Sequence, residues 1–249
     1  MEFQITRTEQ AKYDFVSGLM EYNSTGIGPG MIEHYEKNKS KLSSTTPTLA
    51  ETKAIMEEST AYKFGAFFEY NNHAMMFETV LDILEKQKDE VIAWLDTYNE
   101  PKALGSLTLN PDVQPPRYYK NVEIHTQPGC YHGSPFAGLM YHWMIGPFLC
   151  HRDDNDEMGW ALANGIPRGD YKTIVDLGCA IGKSTFPYCD LYPDAKIYGV
   201  DYAAPQLKYG HKLAESRGKE VHFIQALAED IPLEDNSVDL VTAIWLYHE

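Results

Sequence analysis

Residues 176–185 read Asp-Leu-Gly-Cys-Ala-Ile-Gly-Lys-Ser-Thr, an acid and two glycines closing an apolar run. Such a turn exposes bare backbone N–H groups, which is the chemistry of nucleotide and cofactor binding. A phosphate-binding P-loop needs four residues between its first glycine and the Gly-Lys pair. Gly178 and Gly182 enclose only three, Cys179, Ala180 and Ile181, and Asp176 adds a carboxylate at the strand end. A loop that narrow cannot surround a phosphate, so nucleotide hydrolysis is disfavoured. The dinucleotide fingerprint wants glycine at its first, third and sixth positions. Counted from Gly178, the third and sixth are Ala180 and Lys183, and a lysine there would crowd the helix against the strand. An NAD(P)-dependent oxidoreductase is therefore the less favoured alternative.

The stretch from Asp176 to Gly182 resembles the D-x-G-x-G-x-G loop of class I S-adenosylmethionine-dependent methyltransferases, with Ala180 in place of the middle glycine. Three further features extend the resemblance toward the small-molecule, type 11-like members. Asp201 ends the second apolar run, where an acid can accept hydrogen bonds from both hydroxyls of a ribose. Residues 228–241, from Ala228-Glu229-Asp230 to Val241, are similar to the family's loop after strand three and its lead into strand four. The fourth run closes on Trp245-Leu-Tyr-His248.

The resemblance implies S-adenosylmethionine as cofactor, held by Asp176, Gly178, Cys179, Ala180, Gly182, Asp201, Tyr202, Ala228 and Glu229. In that reading the carboxylate of Asp176 engages the donor's ammonium, directly or through water, and His248 is the candidate general base. Leu227 stands where relatives often carry an acid for the adenine amino group, which leaves adenine to Ala228 and Glu229. The implied activity is methylation of a small molecule. The alternative from another class is a non-catalytic donor-binding or scaffold protein.

The elements that must position this loop follow from periodicity. From Tyr171 onward, apolar runs at 173–178, 196–202, 221–226 and 238–247 alternate with helix-compatible segments, which predicts an α/β parallel sheet, Rossmann-like but incomplete. Relatives continue with three more strands, so the chain is expected to be truncated after strand four. That strand would then be an exposed edge open to pairing with another chain, a homodimer among the options.

A mainly helical N-terminal region precedes it. Phe15, Val16, Leu19 and Met20 are spaced for a helix that the run Gly26, Gly28, Pro29, Gly30 should stop. Thr48 and Glu51 form a capping-box pattern. Between 61 and 98 a pair of packed helices, or one bent helix, should bury Met76, Val80, Ile83 and Leu84. Prolines 101, 111, 115, 116 and 128 make 101–133 a loop or extended connector. Two divisions result: residues 1–133, helical with a Pro-rich connector, and 134–249, the N-terminal half of the α/β domain. The Tyr- and His-bearing stretch from Cys130 to His142 could fold over the cofactor. The segment 151–159 reads as a solvated lead into a helix that Met158, Trp160, Ala161 and Leu162 carry on.

Composition narrows the partners. The chain carries 36 acidic against 21 basic residues, a formal charge of −15, and so repels a nucleic-acid backbone. No run approaches the roughly 18 apolar residues of a membrane span. The N-terminus has no secretory pattern, and a cytoplasmic location with no membrane partner is expected. Four scattered cysteines suit reduced, buried thiols. No metal site is read from His125, Cys130, His132, His142 and His151, whose spacings match no zinc pattern.

Overall fold

The computed structural model of the chain describes residues 1–42, 44–119 and 122–247 in full, together with the backbone of 248. Five parallel strands form one sheet: β1 (Ser106–Thr108), β2 (Thr173–Leu177), β3 (Lys196–Asp201), β4 (His222–Gln225) and β5 (Leu240–Ala243), in the order β1-β4-β3-β2-β5. Strands β2 to β5 are the four apolar runs. Strand β1 lies outside those runs, in the Pro-rich stretch read as a loop or extended connector.

Its formation has a local cause. Leu107 is buried and pairs with Phe223, while on its outer side the Asn99 carboxamide accepts from Leu107 N and donates to Leu107 O, each at 2.7 Å. Asn99 thus does for that residue what a further strand would do. Gly105 permits the approach, since a Cβ there would lie 2.1 Å from the carbonyl oxygen of Val221. The outer edge of β5 carries no strand among the described residues, and Val241 is 52% exposed.

The N-terminal region is helical: α1 (Arg7–Tyr22), α2 (Gly28–Asn38), α3 (Leu49–Met56), α4 (Thr60–Glu85) and α5 (Lys88–Leu95). Capping boxes open α1 (Thr6 with Glu9) and α3 (Thr48 with Glu51). The glycine run after α1 does not stop the chain's helical course. A π-helical turn over Asn23–Ile27 leads directly into α2, and Pro29 lies in its first turn, where the missing N–H leaves no hydrogen bond unmade. Helices α4 and α5 bury Met76, Val80, Ile83, Leu84, Val91 and Leu95.

Four more helices follow: α6 (Ala137–Phe148), α7 (Glu157–Gly165), α8 (Phe186–Leu191) and α9 (Ala204–Ser216). One core joins Val16 of α1, Phe77 of α4, Leu139 and Met140 of α6, Ile181 of the glycine loop and Tyr209 of α9. Apolar packing is therefore continuous across residue 133. A second core under α7, α8 and α9 includes Ile174, Phe186, Ile197, Leu207 and Phe223. The opposite sheet face has a thinner cover, in which Val175, Val200 and Ile224 meet Ile231, Leu233 and Val238. No helix among the described residues is long and apolar enough to cross a membrane.

Candidate functional site

Asp176 lies on β2, between β3 and β5, and is fully buried. It accepts hydrogen bonds from Ser184 Oγ (2.8 Å), Thr185 Oγ1 (2.7 Å) and Thr242 Oγ1 (2.8 Å). Burial raises its pKa and the three hydroxyls oppose that shift. The carboxylate therefore works beneath the loop, tying β2 to the following turn and to β5. It is not among the residues that line the cavity above.

The loop itself turns on left-handed residues, with φ of +67° at Gly178, +47° at Ala180 and +90° at Gly182. A Cβ on Gly178 would come within 2.7 Å of Leu246, and one on Gly182 within 2.8 Å of the Phe186 ring. Close packing and backbone angle both demand glycine at these two positions. Ala180 takes the same region with a methyl group, held there as its N–H donates to Asp201 Oδ2 at 3.0 Å. The other oxygen of Asp201 accepts from Ala203 N at 2.9 Å, so the acid joins the loop to the start of α9. Burial, with Asp201 and Asp176 nearby, pushes the Cys179 thiol well up.

Lys183 shows why a lysine fits after this loop. Its ammonium is buried and bonds the Asp153 carbonyl and Asp156 Oδ1, the latter at 2.7 Å, while Arg217 pairs with the other Asp156 oxygen. Two acids of the segment read as solvated are thus buried and paired, with partners 30 and 27 residues away. The side chain crosses to α7 and crowds no strand.

Above the strand ends lies a cavity of about 860 Å³. Its first wall is the C-terminal ends of the parallel strands, the usual ligand crevice of such sheets. Gly178, Cys179, Ala180, Asp201, Tyr202, Ala228 and Glu229 all stand there, whereas Gly182 and Asp176 do not. Met144, Ile145, Phe148 and Leu149 of α6, with Met158 and Leu162 of α7, form the second wall. Pro116, Tyr118 and Tyr119 of the connector close one side, and Ile244, Trp245 and Tyr247 another. Tyr118 donates to Glu229 Oε1 at 2.6 Å, and Tyr119 meets the Tyr202 ring edge-on at 4.8 Å.

Sequence reasoning missed His73, Tyr118, Tyr119 and Gln206 as lining residues. The pair of tyrosines after Pro115-Pro116 was the available signal, an aromatic pair on an extended segment. Of the expected covering segment, Tyr131 and Tyr141 line the cavity. His132 instead bonds the Tyr202 hydroxyl, and His142 bonds the Tyr209 hydroxyl. His73 sits edge-on to Phe148 at 5.2 Å, and burial holds its pKa below the ordinary value. The candidate base His248 has its side chain outside the described residues. Among the described residues, no group of three or more His, Cys, Asp or Glu is placed to hold a metal ion.

The site thus combines backbone stripped of side chains at Gly178, an acid at a strand end, and buried amide atoms at Gln206 that lack a partner among the described residues. Residues 174–249 match the family described as a methyltransferase domain. The chain is 37% identical to a demethylmenaquinone methyltransferase of Thermus thermophilus over 71 residues, 28% of this chain and 32% of that one. It is 30% identical to a trans-aconitate 2-methyltransferase of Afipia carboxidovorans over 107 residues, 43% of this chain and 40% of that one. Among solved structures, the PH0226 protein from Pyrococcus horikoshii OT3 aligns with a TM-score of 0.33 at 24% identity, over 36% of this chain and 42% of that one. The chain spans 32% and 40% of the length of the two curated relatives it is compared with here. The match to a methyltransferase domain thus falls on the α/β part of the chain, from β2 onward.

Proposed function

We propose that the chain transfers a methyl group from S-adenosylmethionine to a small-molecule acceptor. The observation that carries this reading is a cavity with two unlike walls, polar backbone and acid on one side, apolar and aromatic side chains on the other. Its volume lies in the upper range for small-ligand sites, enough for a donor and a modest acceptor. Two relatives are named for small-molecule acceptors, demethylmenaquinone and trans-aconitate, which supports an acceptor of that class.

When bound, the donor supplies an electrophilic methyl on a sulfonium. The chain's task is then positioning and exclusion of water. In this reading the backbone at Gly178, Cys179 and Ala180 receives the donor's amino-acid part, Asp201 accepts from the ribose hydroxyls, and Ala228 and Glu229 flank the adenine. Met144, Phe148, Met158 and Leu162 hold the acceptor against it and keep the space dry. His73 and His125 both line the cavity, and burial lowers the pKa of His73, which favours the neutral imidazole that could take a proton from the acceptor.

The test is calorimetric titration of the chain with S-adenosylhomocysteine, beside Asp201→Asn, followed by transfer of labelled methyl to a panel of small molecules. Binding that the variant weakens at least tenfold, with label found on an acceptor, is expected. A folded chain that binds nothing overturns the reading, and binding without turnover favours a non-catalytic donor-binding protein.

A further inference from the structure

Several buried polar groups have no hydrogen-bond partner among the described residues, and of these Gln206 is the one that lines the cavity. Its side chain is 1% exposed, and both Oε1 and Nε2 are unpartnered. A buried carboxamide left with both functions unmet is unfavourable, so its retention points to a ligand that meets them.

Its place in the fold narrows the ligand. Gln206 stands in the first turn of α9, five residues after Asp201. One turn on, along the same helix face, Gly210 packs on the backbone of Ile181, where a Cβ would lie 3.0 Å from the carbonyl oxygen. On the other side, Gly138 of α6 comes so close that a Cβ would lie 2.8 Å from the Pro205 carbonyl. The carboxamide is therefore between the glycine loop and α6, on the donor side of the cavity. The residue expected to meet the donor's ammonium, Asp176, is committed to three hydroxyls below the loop.

We propose that Gln206 recognises the α-amino-acid end of the donor, Oε1 accepting from the ammonium and Nε2 donating to the carboxylate. A primary amide offers one acceptor and one donor group on neighbouring atoms, which matches a zwitterion, and no single carboxylate or ammonium side chain does both. This rests on the donor reading above.

The test compares two ligands by calorimetry. S-adenosylhomocysteine carries the amino-acid end, whereas 5′-methylthioadenosine keeps the nucleoside and thioether and lacks it. Gln206→Met preserves length and removes both polar atoms. It should weaken S-adenosylhomocysteine binding 10- to 100-fold, leave 5′-methylthioadenosine within twofold, and keep the thermal midpoint at or above that of the parent. On the unmodified chain, analogues of S-adenosylhomocysteine lacking the amino or the carboxyl group should each bind at least tenfold more weakly, a readout that needs no variant. Equal loss of both ligands, or no loss of either, overturns the assignment, as does lost methyl transfer with donor binding intact. If the unmodified chain binds neither ligand, the donor reading itself is what has failed.

Discussion

On one side of the cavity the chain presents main chain: Gly178 to Ala180 and the ends of β2, β3 and β4, fixed by sheet hydrogen bonds and left-handed turns. On the other it presents side chains of α4, α6, α7 and the connector, brought in from as far back as His73. The first wall is rigid because its geometry is covalent and hydrogen-bonded. The second depends on how apolar residues pack, and volume-conserving changes in such packing are tolerated. One molecule can therefore keep the first wall constant while the second varies.

The difference can be broken hardest at Gly182. With φ at +90° and the Phe186 ring in the way, Gly182→Ala should cost about 3 kcal/mol of stability and abolish S-adenosylhomocysteine binding, read by urea unfolding and calorimetry. The helical wall should respond to acid instead. His142, bound to Tyr209 and enclosed beside Lys183 and Arg217, has its pKa lowered from 6.5 to about 4, chiefly by burial. The unfolded chain takes up this proton first as pH falls, so stability is complete above pH 6.5 and declines toward pH 4. Between pH 7 and 5 the loss should be on the order of 2 kcal/mol, and His142→Asn should remove that part of the pH slope.

Smaller effects sharpen the contrast at its seam. Asn99→Ala strips the outer hydrogen bonds from Leu107 and should cost about 1–2 kcal/mol, with faster amide exchange at Leu107 and unchanged exchange in β2. Ala180→Gly relieves a methyl at φ +47° and should gain about 0.5–1 kcal/mol without weakening donor binding. A loss of stability there would show that the alanine is not strained.

The two walls also differed in how far the sequence disclosed them. Strands β2 to β5 and the residues at their ends follow from apolar runs with terminal acids and glycines, a local pattern. Asp176 belongs to the same motif, yet spacing does not say whether a strand residue looks up at the cavity or down at Thr242. The second wall was mostly hidden, because α4 and α6 are apolar on several faces and only packing decides which face meets the cavity. Asp153 and Asp156 read as solvated for a related reason: their cation, Lys183, is distant in sequence. Strand β1 has three residues, too few for a period, and it is made by Asn99 and Gly105 as much as by itself.

That short strand also has a temporal aspect. Ser106 meets His222 across 116 residues of chain. At a synthesis rate of about 5–20 residues per second, β1 leaves the ribosome roughly 6 to 23 seconds before the strand it lies against. Throughout that interval the N-terminal helices can collapse on one another, while β1 has no neighbour and α6 and α9 have not met. β2 and β3 can pair before β4 emerges, but β1 cannot dock until it does, and it is during this wait that a chaperone would have a substrate.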